Sequence, residues 1–106
     1  MHLILDSYSH PGISLFWKRH GLRIMEQLVP NEFFFTTGDM PLEKIVEREI
    51  WSGWKKLILI GSPSSIRRGF NAIMQASDEC RSTLEIGFWP LDLQELAVSI
   101  GQPASN

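Results

Sequence analysis

A chain of 106 residues, 43% hydrophobic and with a formal charge of −2, has room for one domain with a core built around a single sheet. It lacks the excess of Lys and Arg that neutralising a nucleic-acid backbone requires. Its one cysteine, Cys80, excludes an internal disulfide, fits a reducing compartment and is expected to pack rather than react. No apolar run reaches the roughly 20 residues of a transmembrane segment, and the amino terminus has neither the basic region nor the long apolar stretch of a secretory leader, so the expected location is cytoplasmic.

His2-Leu3-Ile4-Leu5 is a short apolar run that predicts a first strand. Residues 6–12, with Ser7, Ser9, His10, Pro11 and Gly12, carry the turn chemistry of its loop. Over 13–28 the positions Ile13, Phe16, Trp17, Ile24 and Leu28 share a helical stripe, with Lys18, Arg19, Arg23 and Glu26 directed elsewhere and Gly21 a weak point. Pro30-Asn31 stops that helix, and the aromatic, β-branched run Phe33-Phe34-Phe35-Thr36-Thr37 predicts a second strand. Gly38-Asp39-Met40-Pro41 opens a second helix, with Asp39 placed to cap it and Pro41 in its first turn. Leu42, Ile45, Val46, Glu49 and Ile50 set its faces, and Gly53 ends it.

Leu57-Ile58-Leu59-Ile60 predicts a strand buried on both faces, followed by a turn at Gly61-Ser62-Pro63-Ser64-Ser65. A third helix comes next, capped by Ser64 or Ser65, with Ile66, Phe70, Ile73, Met74 and Ser77 at helical spacing, and it runs out near 78–82. Leu84 to Trp89 predicts a fourth strand stopped by Pro90, and 92–100 a last helix with Leu93, Leu96, Ala97 and Ile100 on one face. Strands alternating with helices argue for an α/β fold, a three-layer α/β/α sandwich around a mainly parallel sheet. It forms one domain over 1–103 with a loose tail over 104–106. Ligands of such sheets bind in the crevice at the carboxyl ends of the strands, which makes the 61–65 loop the expected place for a site.

His2, His10 and His20 have no i, i+4 partner and no Cys at ligand spacing, so no metal site is expected. Ser62, Ser64 and Ser65 lie where a nucleophile elbow would, but the G-x-S-x-G pattern is absent. No histidine follows His20, so a triad in the order Ser, acid, His cannot form. Anion binding remains. The amino end of the third helix offers unpaired N–H groups and a positive dipole end, and Gly61, Ser62, Ser64, Ser65, Arg67 and Arg68 form a candidate site for a small anion or a nucleotide. Pro63 withdraws one N–H from that cradle. Arginines in a first turn oppose the helix dipole, which points to such a ligand, to a carboxylate partner such as Asp92 or Glu95, or to a solvated pair. Trp17, Trp51, Trp54, Phe88 and Trp89 are many large rings for a small domain. Most belong to the core, while the Trp51–Trp54 pair at the end of the second helix places a ring at the surface, where it can seed an interface.

The order of elements and several short stretches resemble the amino-terminal nucleotide-binding domain of the diacylglycerol kinase and sphingosine kinase family, over nearly the full length. Residues 6–12 take the place of that family's N-P-x-S-G loop, and Phe35-Thr36-Thr37 with Glu43 onward that of its second strand, threonine and following helix. Gly61-Ser62-Pro63-Ser64-Ser65-Ile66 stands where the family has G-G-D-G-T, and Asn71-Ala72-Ile73-Met74 matches its N-G-L/M stretch. Ile86 to Leu91 resembles the strand leading into P-L-G-T-G-N-D, and 97–103 the A-x-x-x-G-x-P continuation.

The resemblance implies a fold of the NAD kinase and diacylglycerol kinase N-domain type, with ATP and magnesium as cofactors only where the family activity is retained. The departures fall on the chemistry. Ser62, Pro63 and Ser64 replace the Gly, Asp and Gly of the phosphate loop, Arg68 stands where the next helix usually carries an acid, and 90–95 lacks the second loop's glycines. The family's β-rich second domain has no counterpart in these residues. Phosphoryl transfer rests on positioning and metal-assisted charge stabilisation, so the implied protein is a non-catalytic relative without a cofactor. It is expected to act as a homodimer or through a protein partner. Two alternatives stand beside it: a sensor of a small phosphorylated ligand or nucleotide at 61–68, and a lipid kinase subunit completed by another chain.

Overall fold

The structure, a computed structural model, describes residues 1–53, 55–76 and 84–91. The expectations for Trp54, Cys80, the 78–82 helix end, the 92–100 helix and the tail fall outside these residues. Among the described residues four strands and three helices alternate: β1 (His2–Leu5), α1 (Pro11–Leu28), β2 (Glu32–Phe35), α2 (Leu42–Trp51), β3 (Lys56–Gly61), α3 (Pro63–Met74) and β4 (Glu85–Pro90). A 3-10 turn at Ser7–Ser9 joins β1 to α1.

All strands run parallel in the order β2-β1-β3-β4. The chain steps outward from β1 to β2 and then crosses to the other side of β1 for β3, so the winding reverses between β1 and β3. The carboxyl ends of those two strands, at Leu5 and Gly61, therefore flank the switch-point crevice.

Alternation along the strands sorts the core into two layers. Leu3, Leu5 and Ile60 pack with Ile13, Phe16 and Ile24 of α1, while Ile4, Leu57 and Leu59 pack with Leu42, Ile45 and Val46 of α2 and Ile73 of α3. The α/β fold with helices on both faces of a parallel sheet is thus present. Among the described residues no helix is long and apolar enough to cross a membrane.

Several boundaries differ from the pattern in the sequence, each for a local reason. Helix α1 starts at Pro11, not Ile13, because the His10 ring nitrogen Nδ1 accepts the Gly12 N–H at 2.9 Å and Pro11 takes the first helical position. Helix α1 runs unbroken through Gly21. The Trp17 indole lies over it, only 2.7 Å from where a Cβ would stand, so the residue is needed for packing. Asp39 does not cap α2. Pro41 holds that position, while Thr37 closes the preceding turn, its Oγ1 accepting from the Met40 N–H at 3.0 Å and its own N–H donating to the Met40 carbonyl.

The cap of α3 is Ser62, two residues before the nearer of the expected serines, with Pro63 opening the first turn. The buried face of this helix is Ser65, Gly69 and Ile73; of the expected stripe Ile73 is buried and Ile66 packs against the same core cluster. Phe70 and Met74 are half exposed. Gly69 sits so close to β3 that an added Cβ would lie 2.5 Å from Leu59 Cδ2. Strand β2 ends at Phe35, because Thr36 turns its side chain away to the crevice. Pro90 closes β4 opposite Gly61, and the Leu91 N–H donates to the Gly61 carbonyl at 2.7 Å.

Candidate functional site at the strand switch point

Asp6 follows directly on β1, and its N–H donates to the Ile60 carbonyl at 2.9 Å, tying the loop to the end of β3. The residue is 1% exposed. Its Oδ1 accepts the Thr36 hydroxyl at 2.7 Å, and Thr36 Oγ1 accepts the Tyr8 N–H at 3.0 Å. Asp6 Oδ2 is buried with no hydrogen-bond partner, and the Arg68 Nη1 stands 3.6 Å away. Such an atom is uncommon, since leaving a buried acceptor unpaired costs about 1–3 kcal/mol.

Beside Asp6 runs a chain of hydroxyls. Ser9 Oγ donates to the Asp6 carbonyl at 3.0 Å and lies 3.1 Å from Ser65 Oγ, which lies 3.1 Å from Ser62 Oγ. Ser62 Oγ in turn accepts the Ser65 N–H at 3.2 Å. Gly61 permits this closeness: a Cβ there would meet Ser65 Cβ at 2.6 Å and Asp6 Cβ at 3.3 Å.

Arg68 bridges this cluster to α2. Its Nε and Nη2 donate to the two carboxylate oxygens of Glu43 at 2.5 and 3.0 Å, a bidentate clamp. The hydrogen bond from Arg68 holds the Glu43 carboxyl below its ordinary value against the opposing effect of partial burial. The same bond raises Arg68. Outward of the clamp a groove of about 560 Å³ runs between α2 and α3, walled by Glu47 and Trp51 on one side and Asn71 and Gln75 on the other. Trp51 is 82% exposed there.

The six residues expected to bind an anion therefore divide. Gly61, Ser62 and Ser65 are buried in the hydroxyl chain, Ser64 and Arg67 stand exposed on the outer lip of α3, and Arg68 turns to carboxylates. The partners of Arg68 are Glu43 and Asp6. The acids expected to pair with it, Asp92 and Glu95, lie outside the described residues. Asp6, Ser9, Thr36 and Glu43 were not among the candidates, although a polar residue directly after each of two parallel strands, Asp6 after β1 and Thr36 after β2, is the signal that marks them. Among the described residues no group of three His, Cys, Asp or Glu is placed to hold a metal ion. Comparison with protein-family models, curated proteins and solved structures found no match to the chain.

Proposed function

We propose that this chain is a non-catalytic relative of the diacylglycerol and sphingosine kinases, built on an N-domain of their type and working by association with a second copy or another protein. The observation that carries the reading is the clamped Arg68. A magnesium-bound triphosphate at this crevice needs open backbone N–H groups and carboxylates directed at the metal. Here the Ser65 N–H is taken by Ser62 Oγ, Pro63 has none to give, and the Glu43 carboxylate is spent on Arg68. Titration calorimetry with Mg-ATP should give no saturable heat up to millimolar concentration. Micromolar affinity would overturn the reading.

A second reading, a small-anion sensor, is favoured by Arg67 and Ser64, which stand exposed together at the amino end of α3. Inorganic phosphate should then raise Tm through linkage, and Arg67→Glu should abolish the shift. An identical shift in that variant would dismiss the sensor.

A further inference from the structure

We infer that the outer edge of β2 is the self-association surface, pairing antiparallel with β2 of a second copy across a two-fold axis at Phe34. The inference rests on the reading that the chain acts by association, and adds where and with what.

Strand β2 is an outermost strand of the sheet. Among the described residues nothing pairs with its outer side. Natural edges are blunted by Lys, Pro, bulges or a covering element. This one reads Glu32-Phe33-Phe34-Phe35, and Phe35 is 58% exposed. Its aromatic content is arranged in rows. On the α1 face Trp17 stacks on Phe33 with centroids 5.0 Å apart and planes 14° apart, and Phe35 continues the row 6.1 Å from Phe33. On the other face Phe34 meets His2 edge-on, and the Arg48 guanidinium lies over its ring at 5.1 Å.

A two-fold axis pairs identical strands only antiparallel, and centring it on Phe34 sets Phe33 against Phe35 of the partner subunit and Glu32 against Thr36 of the partner subunit. Opposite residues of an antiparallel pair share a face. The Trp17–Phe33–Phe35 row then runs unbroken into its symmetry copy, and no two acidic residues face each other.

Charge favours the same occupant. Neither Glu32 nor Arg48 has an ion-pair partner among the described residues. Glu32 shares the face of Phe34, over which Arg48 lies, so the pairing gathers two glutamates and two arginines about the axis, with no net charge. Pairing consumes the β2 edge in both copies, so the assembly through this edge closes at two.

The strand is short, so the expected affinity is modest, with Kd on the order of 10 µM, and sedimentation equilibrium from 1 to 300 µM covers it. The wild-type chain should pass from monomer to dimer and no further. Phe35→Lys, at a half-exposed position, should remain monomeric throughout, whereas Phe70→Lys, at a comparably exposed ring on α3, should dimerise as wild type does. Glu32→Arg and Arg48→Glu should each weaken the dimer roughly tenfold, and the double variant should recover to within roughly threefold. Circular dichroism melts confirm folding of each variant. A wild-type chain monomeric at 300 µM, open-ended association, or a dimer indifferent to Phe35→Lys and to the charge reversals would each overturn the edge pairing. Those outcomes leave the non-catalytic reading to its own Mg-ATP titration.

Discussion

The two ends of β1 carry two polar clusters of opposite character. At the amino end His2 pairs with Glu49 of α2, both nearly fully buried, with the edge of the His2 ring against Phe34. Each finds its charge or hydrogen-bond complement in the other, and the pair pins α2 to the start of the strand. Four residues on, Asp6 meets one hydroxyl, leaves one buried oxygen without a hydrogen bond, and shares an arginine that Glu43 holds more tightly. A cluster that only stabilises is expected to look like the first, because a half-satisfied network costs more than an apolar replacement. The unmatched oxygen at the second therefore marks the carboxyl end of the sheet as the place where this fold departs from its most stable arrangement.

The sharpest way to break this comparison is to truncate each cluster. Glu49→Ala removes the buried carboxylate that His2 Nδ1 meets and should cost about 3–4 kcal/mol in urea unfolding. Replacing both with apolar groups, His2→Phe with Glu49→Leu, should recover most of that loss, since the pair repays little beyond its own desolvation. Asp6→Asn acts on the looser cluster. The amide still accepts from Thr36 but sets an NH2 against the Arg68 guanidinium, and the expected cost is about 1–2 kcal/mol. If Asp6→Asn proves costlier than Glu49→Ala, the ranking of the two ends is wrong.

How much of this was legible in the sequence follows from the range of each interaction. The strands and their alternating two-faced burial were readable because Leu3-Ile4-Leu5 and Leu57 to Ile60 are apolar at every position, as strands with helices on both faces require. The face of α3 was legible only in part. Hydrophobic spacing finds Ile66 and Ile73 but also favours Phe70 and Met74, whereas the buried face includes Gly69 close against Leu59 and Ser65 close against Gly61, and those distances are set by β3 rather than by the helix itself. Of the site, the place was legible and the partners were not. Strand-to-helix turn chemistry located Gly61 to Arg68, whereas Glu43 lies 25 residues away in sequence and Thr36 is 30 residues from Asp6. The arginines expected in the first turn of α3 signalled a conflict with the dipole, although with the cap at Ser62 they fall in the second turn. Arg68 resolves it through a carboxylate of the neighbouring helix, which no local pattern specifies.

The smallest expected effect tests whether the Arg68 clamp is electrostatic. Both side chains are partly exposed, so solvent screening holds its worth at neutral pH to less than about 1 kcal/mol. The hydrogen bond from Arg68 lowers the Glu43 carboxyl in the folded chain, so the clamp contributes fully above the ordinary carboxylate value of about 4.3 and is lost as pH falls through the lower folded value. The raised Arg68 stays charged throughout and adds no slope in this range. Wild type should therefore exceed Glu43→Gln in urea stability by a few tenths to about 1 kcal/mol at pH 7, by nearly the same at pH 5, and by nothing once acid has protonated the carboxyl in the folded chain. Added salt at pH 7 should narrow the gap. A gap that persists after the carboxyl is protonated would mean that Glu43 holds Arg68 by geometry alone, and the difference between the paired cluster at His2 and the shared arginine at Asp6 would then lie in packing instead of charge.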